Sequence, residues 1–252
     1  MKKIKDSNEE YHAHKSISAS GLKTIHLQSV YHFLNQKFKF SPAMNFGSAV
    51  HEVLLEDNTN KIVTLPELNL RTKAGKEERD LILKENKDKI VISQDENENI
   101  RKILTNYRKH NLALKLLSSL NEREVSYYGE INSIPVRIRA DGIKLNEYII
   151  DIKTCQDASP KAFRSAIYRY AYHLQATFYC EGLGYDPRTF RFIAIENKYP
   201  FNIAVYTMSE DMIEHGKEAW RLAFNKWKDY IDKNIISSYS WDDINNDESL
   251  IL

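Results

Sequence analysis

Cysteine is nearly absent from this chain of 252 residues, which contains only Cys155 and Cys180. Two cysteines are too few for a disulfide framework, for a four-cysteine zinc site or for an iron–sulfur cluster held by four thiolates. Small disulfide-rich proteins and proteins with a four-cysteine zinc or iron–sulfur site are therefore excluded. We expect both cysteines to be buried, reduced thiols.

Long apolar runs are also missing. No stretch approaches the roughly 18 to 20 apolar residues that a membrane-spanning helix needs, and the mean hydropathy is −0.54. The charged residues 1–11 are not followed by the apolar segment of a secretory signal. The sequence therefore predicts a protein that does not enter a membrane and that stays in the cytoplasm.

A strong charge of one sign is absent too, because 36 basic residues balance 35 acidic ones to a formal net charge of +1. Any binding to nucleic acid must then come from locally clustered charge rather than from bulk attraction. The 8 glycines and 6 prolines are scattered, with no repeat and no linker-like tract. We therefore predict one continuous domain over residues 1–252.

Hydrophobic periodicity divides this domain into three parts. Residues 1–120 are predicted to be mainly helical, residues 121–233 to form a sheet-containing core, and residues 234–252 to be an acidic tail. The core pattern indicates three antiparallel strands, a helix, two more strands and a last helix. A right-handed strand–helix–strand crossover should put the fourth strand into the same sheet. The predicted fold class is α/β, with a mixed central sheet flanked by helices and a helical N-terminal region.

Turn and capping residues set the expected bounds of these elements. The predicted helices are Ser18 to about Asn35, one from Ser41-Pro42, two between Glu77 and Lys115, Ser159 to Gly182 or Gly184, and about Glu210 to Lys233. The predicted strands are 124–131, 136–141, Tyr148–Thr154, Thr189–Glu196 and Phe201–Thr207, with a turn at Asn132-Ser133.

Two carboxylates and an ammonium are expected to share one small volume on this sheet. Asp151 and Lys153 are two apart on the third strand, so their side chains leave the same face. Asp141 ends the neighbouring strand, and the register decides whether it joins them. A two-residue turn would set Asp141 opposite Ile152, whereas a three-residue loop, Leu145–Glu147, would set it opposite Asp151. We predict the three-residue loop or a bulge.

Oxygen ligands of this kind suit Mg²⁺ or Mn²⁺, and two aspartates this close need a cation between them. A divalent cation would make a water molecule easier to deprotonate, and together with Lys153 it would offset charge on a phosphate group. The pattern therefore favours phosphodiester hydrolysis. Taken alone, it is also typical of a strand-end turn at Asp141 and a solvated surface pair at Asp151 and Lys153.

Four short motifs occur in order along the chain: Gly47 with His51, Asp141, Asp151-Ile152-Lys153, and Gln175 with Tyr179. They resemble the GxxxH, D, DxK and QxxxY signatures of the PD-(D/E)XK nuclease superfamily. The segments Tyr148–Thr154 and Ala171–Gly182 look similar to the exodeoxyribonuclease VIII (RecE-type) exonucleases of phages and prophages. The segment Arg71–Glu78 is similar to them as well, and the resemblance extends from about Tyr11 to Asp243.

The resemblance implies a restriction-endonuclease-like fold and a set of metal ligands. Asp141, Asp151 and the backbone carbonyl of Ile152 would be ligands, and His51 would be a further ligand or a partner of one. Without the other motifs, His51 would be typical of a core histidine. The acid of the DxK motif is Asp151 rather than Glu, which this branch accepts and which would shift the cation toward the strand.

The resemblance also implies roles around the scissile phosphate. Lys153 would position or activate the attacking water, while Gln175 and Tyr179 would hold the substrate strand. Helical spacing adds a strip of side chains next to this pair, on which bases could stack, and which could equally be a helix edge packed on the N-terminal helices. The strip consists of Arg164, Tyr168 and Tyr172.

Two sets of basic residues are predicted to contact DNA phosphates. Arg137 and Arg139 share a strand face with Asp141 and would lie along the approaching backbone. The second set lies on the substrate side in the family and could otherwise be a solvated loop; it consists of Arg71, Lys73 and Lys76. Binding through such contacts should weaken steeply with salt.

The function that the resemblance implies is a Mg²⁺-dependent or Mn²⁺-dependent exonuclease acting on double-stranded DNA ends. It would digest one strand in the 5′-to-3′ direction and leave a 3′ single strand for a recombinase or a single-strand annealing protein. Relatives assemble as homo-oligomeric rings, in the cytoplasm of a bacterial host. The alternatives are a related nuclease with endonuclease or single-strand preference, and an inactive DNA-end-binding protein.

Overall fold

Ten α-helices, one short 3-10 helix (Pro187–Thr189) and nine strands are found in the residues that this computed structural model describes, 1–37, 42–56 and 59–238. The helices are α1 Asn8–Ala13, α2 Ala19–Leu27, α3 Val30–Asn35, α4 Pro42–Leu55, α5 Lys73–Glu85, α6 Gln94–Lys109, α7 Asn111–Ser118, α8 Pro160–Arg169, α9 Tyr172–Leu183 and α10 Glu210–Lys233. The strands are β1 Lys2–Ile4, β2 Ile17–Ser18, β3 Ile62–Thr64, β4 Ile90–Ile92, β5 Glu122–Ile131, β6 Ile134–Lys144, β7 Tyr148–Cys155, β8 Arg191–Glu196 and β9 Ile203–Tyr206.

The main sheet has the strand order β1-β5-β6-β7-β8-β9, and β2 adds to β6. Short turns make β5, β6 and β7 antiparallel neighbours, while the crossover through α8 and α9 makes β8 parallel to β7. The sheet is therefore mixed, and the α/β prediction with helices flanking a mixed central sheet is confirmed. The pair β3 and β4 forms a separate, parallel two-stranded sheet.

Two apolar clusters pack on the strands and build the core. The first joins β6 and β8 to α2, α8, α9 and α10, and the second joins β7 and β8 to α4, α6 and α7. Ile150 and Ile152 of β7 point into the second cluster, whereas Ile149 belongs to the first. Because strand side chains alternate, Asp151 must point toward the α9 side.

The crossover connection contains two helices where the sequence predicts one. The chain breaks at Ala171, which takes a left-handed conformation with φ 50°. Neither glycine nor proline marks this break in the sequence, so periodicity runs through it. The predicted end of the connection is confirmed, because Gly184 caps α9 with φ 78°. The last helix also has its predicted bounds, 210–233.

The N-terminal part contains more breaks and strands than predicted. The first predicted helix is interrupted at Gln28, and Ser29 caps a new one. The region from Glu77 to Lys115 holds three helices and a strand rather than two helices. Strands of two or three residues, such as β1 to β4, are too short to show alternation. Ser41 and residues 239–252 of the predicted tail lie outside the described residues.

Both cysteines are free thiols, as predicted, but only Cys180 is fully buried. Cys155, at the end of β7, is half-buried, and burial raises the pKa of its thiol to about 11. In the part of the chain that the structure describes, no helix is long and apolar enough to cross a membrane.

Candidate active site

The loop between β6 and β7 decides whether the two aspartates meet. Lys144 pairs with Tyr148, so the loop has three residues, and Asn146 within it has φ 62°. The same register, continued one step beyond the pair of Gly142 and Ile150, sets Asp141 opposite Asp151. The predicted three-residue loop is confirmed.

Asp151 is the buried centre of the site, with 1% of its surface exposed. The Gln175 amide nitrogen donates to Asp151 Oδ1 at 2.6 Å. Lys153 Nζ forms a salt bridge at 2.5 Å with Asp151 Oδ2, which accepts no hydrogen bond of normal geometry from the described residues. Asp151 Oδ1 is therefore held by a hydrogen bond, whereas Oδ2 is stabilised only by the positive charge of Lys153.

Asp141 and His51 meet on the backbone of β7. The Ile152 N–H donates to Asp141 Oδ2 at 2.6 Å, and His51 Nδ1 lies 3.6 Å from the same oxygen. His51 Nε2 lies 3.1 Å from the Ile152 carbonyl oxygen, which can only accept, so Nε2 carries the proton. Gly47 of α4 faces β7, and a Cβ there would be in ordinary contact with Thr154 Oγ1, at 3.4 Å.

Burial shapes the charges of this cluster. It raises the pKa of Asp141 to about 6, although His51 acts in the opposite direction. Burial acts to lower the pKa of Lys153, but the neighbouring Asp151 and Asp141 outweigh it, and the pKa is raised. Lys153 is thus held as an ammonium, whereas ionised Asp141 is costly in the absence of a balancing positive charge.

Lys23 of α2 also belongs to the site, although no sequence pattern indicated it. Its Nζ donates to Gln175 Oε1 at 3.0 Å. Burial, with a contribution from Lys153, lowers the pKa of Lys23 to about 8. Only tertiary packing brings α2 beside α9, and the sequence around Lys23 carries no sign of this contact.

Glu124 of β5 is a second residue that sequence reasoning missed. Its Oε1 lies 4.0 Å from His51 Nδ1, and the β5–β6 register places it opposite Asp141. A signal was available: the two-residue turn at Asn132-Ser133 pairs Ile131 with Ile134, and counting back along both strands pairs Glu124 with Asp141.

A polar cavity of about 190 Å³ adjoins the Asp141 side of the site. Glu124, Asp141 and Tyr179 line it on the side of the sheet and α9, and Tyr11 lines it from the N-terminal helix α1. Tyr179 is 5% exposed, and burial raises the pKa of its phenol well above the usual value. Gln175 and Tyr179 therefore both reach the site, but from a helix that is buried between the sheet and α10.

Arg137 does not face solvent, in contrast to its predicted role. Its side chain is buried, with 8% of the residue exposed, and Nη1 donates to the carbonyl oxygens of His14 and Ser16. The guanidinium also lies over the Tyr11 ring, 5.0 Å from its centroid. In this arrangement Arg137 holds the N-terminal segment on β6, and little of its guanidinium is left exposed for a phosphate contact.

The guanidinium of Arg139 is also hydrogen-bonded to backbone carbonyl groups. It donates to the carbonyl oxygens of Glu124 at 3.0 Å and of Asp6 at 2.7 Å. The predicted position beside Asp141 is correct, because both line the cavity. Its donors, however, are largely used by backbone carbonyls, since the N-terminal segment covers this part of the sheet.

We expect Arg137→Met to lower the free energy of unfolding by about 2 to 4 kcal/mol, because the buried Ser16 carbonyl and the partly buried His14 carbonyl lose a charged donor. The salt dependence of DNA binding should stay that of the wild type. Denaturant unfolding and DNA titrations at several salt concentrations measure the two quantities. A normal stability with a weaker salt dependence would instead restore the phosphate-binding role.

The predicted strip of Arg164, Tyr168 and Tyr172 is wrong as a continuous surface, because the break at Ala171 puts its members on two helices. Tyr172 contacts the site: Lys153 Nζ stands over its ring, 4.9 Å from the centroid. Tyr168 packs instead against His173, with ring centroids 5.0 Å apart. Arg164 is exposed on α8.

The second basic set lies at the beginning of α5 and in the turn before it. Arg71, Lys73 and Lys76 are all exposed, and Lys73 pairs loosely with Glu77 at 3.7 Å. The solvated position is compatible with either of the two interpretations given above. Their contact with DNA stays a prediction.

The donor set fits a hard divalent cation. The donors are carboxylate oxygens from two strands, the Ile152 carbonyl and the His51 imidazole, which lies 3.6 Å from Asp141 Oδ2 and 3.1 Å from the Ile152 carbonyl oxygen. Buried Asp151 Oδ2 accepts no hydrogen bond of normal geometry from the described residues. Within the described ranges, however, no three His, Cys, Asp or Glu side chains stand at ligating positions. The Ile152 N–H instead donates to Asp141 Oδ2, the His51 ring lies beside the same oxygen, and the Lys153 ammonium balances the charge of Asp151.

A mixed sheet that carries two opposed aspartates and a lysine on neighbouring strands defines the PD-(D/E)XK nuclease class. The family model of the PDDEXK-like domain of unknown function (DUF3799) matches residues 18–238, and the chain belongs to this family. The predicted superfamily is thereby confirmed. Nucleases of this class generally use divalent metal ions.

One solved structure shares the fold. That of a candidate exonuclease from Eubacterium rectale aligns with a TM-score of 0.61 over 99% of this chain and 96% of that one, at 12% identity. That of a phage-related exonuclease from Haemophilus somnus aligns with a TM-score of 0.37 over 90% of this chain and 100% of that one, at 15% identity. No curated protein matches the sequence.

Proposed function

We propose that the protein is a divalent-cation-dependent exonuclease that digests one strand of double-stranded DNA from an end. The observation that carries the proposal is the buried arrangement of Asp141, Asp151 and Lys153 on two neighbouring strands. Membership of a PDDEXK-like family and a fold shared with a candidate exonuclease support it. The substrate would be held by the residues around this cluster.

Each residue of the cluster has a task that its chemistry allows. Asp141, Asp151 and the Ile152 carbonyl would hold Mg²⁺ or Mn²⁺, which lowers the pKa of a bound water and offsets charge on the phosphate. The Lys153 ammonium would orient the attacking water or bind a phosphate oxygen. Gln175 holds Asp151 in place, and the Tyr179 phenol would contact the substrate strand from the cavity.

The resemblance to RecE-type enzymes supports finer proposals about direction and partners. Digestion would run 5′ to 3′ and leave a 3′ strand for a recombinase or annealing protein. A homo-oligomeric ring would explain processive digestion by a chain with a net charge of only +1, because enclosure of DNA replaces bulk attraction. A bacterial cytoplasm is the compartment in which such an enzyme would act.

The test is to incubate end-labelled linear duplex and nicked circular duplex with Mg²⁺, and then with a chelator. Mononucleotides from linear DNA alone would support the proposal, and labels at the two ends report the direction. Cleavage of circles would favour the related endonuclease. A protein that shifts the mobility of DNA without cutting it under any condition would be an end-binding protein, and the proposal would be wrong.

The exposed basic set also gives a measurable expectation. The triple variant Arg71→Ala, Lys73→Ala, Lys76→Ala should weaken DNA binding at low salt, because each of the three side chains would otherwise neutralise a phosphate. The slope of log K against log salt should fall by about 1 for each phosphate that is no longer neutralised. Titrations of a short duplex at several salt concentrations measure this slope. An unchanged slope would assign these residues to a solvated loop.

A further inference from the structure

Lys23 is joined to the active site through a single amide. Its Nζ donates to Gln175 Oε1 at 3.0 Å, and Gln175 Nε2 donates to Asp151 Oδ1 at 2.6 Å. The chain of contacts ends at Lys153, which pairs with the other oxygen of Asp151. Lys23 and Lys153 also approach the same ring, that of Tyr172, at 5.5 and 4.9 Å from its centroid.

The two ends of this chain determine how the amide must point. An ammonium can only donate hydrogen bonds, and an ionised carboxylate can only accept them. Gln175 must therefore turn its carbonyl oxygen to Lys23 and its NH₂ group to Asp151. Without Lys23, the amide would be held at its NH₂ end alone, by Asp151, and its carbonyl oxygen would lose its ammonium donor.

We propose that Lys23 is a positioning residue, which orients Gln175 so that Oδ1 of Asp151 stays occupied and Oδ2 stays directed at Lys153 and the cation. The expected effect on catalysis rests on the proposed function, whereas the orientation of Gln175 by Lys23 does not. The partners of metal ligands commonly contribute in this way, and their loss weakens metal affinity or activity by about 10- to 100-fold.

Fold stability does not require this lysine. Its neighbours Leu22 and Ile25 anchor α2 in the first apolar cluster with no exposed surface. The Lys23 side chain brings a charge into a partly buried place beside a second ammonium, which opposes its charged form. Burial of the Lys23 charge lowers the stability of the fold, whereas its hydrogen bond orients an active-site amide. We therefore expect Lys23 to matter for function rather than for stability.

The test compares Lys23→Met, Lys23→Arg, Gln175→Met and the double variant Lys23→Met, Gln175→Met. Mn²⁺ affinity, measured by calorimetric titration, reports on the site even if the protein cleaves no DNA. We expect Lys23→Met and Gln175→Met each to weaken Mn²⁺ binding by about 10- to 100-fold. The double variant should be no worse than the single ones, because both remove the same link.

The variant Lys23→Arg should keep Mn²⁺ affinity within a few-fold of the wild-type value. In digestion of linear duplex, Lys23→Met should lower kcat more than it raises KM. Thermal denaturation should show Lys23→Met to be at least as stable as the wild type. Lys115→Met, a change at an exposed lysine of α7, is the matched control and should alter none of these quantities.

Two outcomes would overturn the proposal. Unchanged Mn²⁺ affinity in Lys23→Met would show that Asp151 does not depend on the link. Losses that multiply in the double variant would show that Lys23 acts by a contact of its own, for example with a phosphate group, in which case KM rather than kcat should change. A protein that binds Mn²⁺ as expected but cuts no DNA would refute the proposed function alone.

Discussion

Asp151→Asn is expected to lower the turnover of linear duplex DNA by about 10³-fold or more, while DNA binding stays near that of the wild type. The reason is that Asp151 is buried and ionic, with its oxygens divided between Gln175 and Lys153. Asparagine keeps the shape but loses the charge that attracts the cation and holds the Lys153 ammonium. Steady-state digestion and fluorescence anisotropy with labelled duplex measure the two quantities.

The matched control is Asp157→Asn, which changes an exposed acid in the loop that follows β7 and should cleave at the wild-type rate. Circular dichroism should show that both variants are folded. Cleavage by Asp151→Asn at a rate close to that of the wild type would remove Asp151 from the chemistry and, with it, the assignment of the site.

Asp141→Asn is expected to make the cation-free protein more stable at pH 8, by about 2 kcal/mol, while it abolishes cleavage. Burial raises the folded-state pKa of Asp141 to about 6, well above its unfolded value. Ionisation of the side chain therefore costs folding free energy, and this cost grows above about pH 4 and is complete above about pH 6. Asparagine avoids this cost and can still accept the hydrogen bond from the Ile152 N–H.

The sign of this effect determines its pH window. As pH falls from about 6 to about 4, Asp141 takes up a proton in the folded state, and the advantage of the Asn variant should shrink to nothing. Thermal or denaturant unfolding in chelator at pH 8 and pH 4 measures the difference. Mn²⁺ should stabilise the wild type but not the variant. A less stable Asn variant at pH 8 would show that ionised Asp141 is well compensated without a cation.

The core of the candidate site was within reach of sequence reasoning because strand geometry is periodic. Alternation puts Asp151 and Lys153 on one face, and a loop of odd length brings Asp141 opposite Asp151, which the register bears out. Glu124 could have been found by the same counting. Both inferences need only local turns, whose length determines the register of a hairpin.

Contacts between elements that are distant in the chain could not be predicted from side-chain period or from turn length. Lys23 reaches Gln175 because α2 packs beside α9, and nothing in the sequence of either helix indicates the other. Arg137 and Arg139 were predicted to contact DNA because they share a strand face with Asp141, and nothing in the sequence indicated that carbonyl oxygens of Asp6, His14 and Ser16 accept their hydrogen bonds. The break at Ala171 depends on how α8 and α9 pack. The strip of Arg164, Tyr168 and Tyr172 was therefore predicted on one helix, although its residues lie on two.

From residue 121 to residue 233, the sequence by itself determined the order of the strands, the mixed sheet and the pairing of the two aspartates, since these depend on side-chain period and on short turns. The short strands β1 to β4 and the helix break at Ala171 were not predicted. Tertiary structure alone decided which charges surround the aspartates, which arginines are consumed by backbone carbonyls, and which lysine orients Gln175. The physical reason is that desolvation and hydrogen-bond partners depend on what packs against a residue, and packing partners are chosen by the shape of the whole fold rather than by neighbours in the chain.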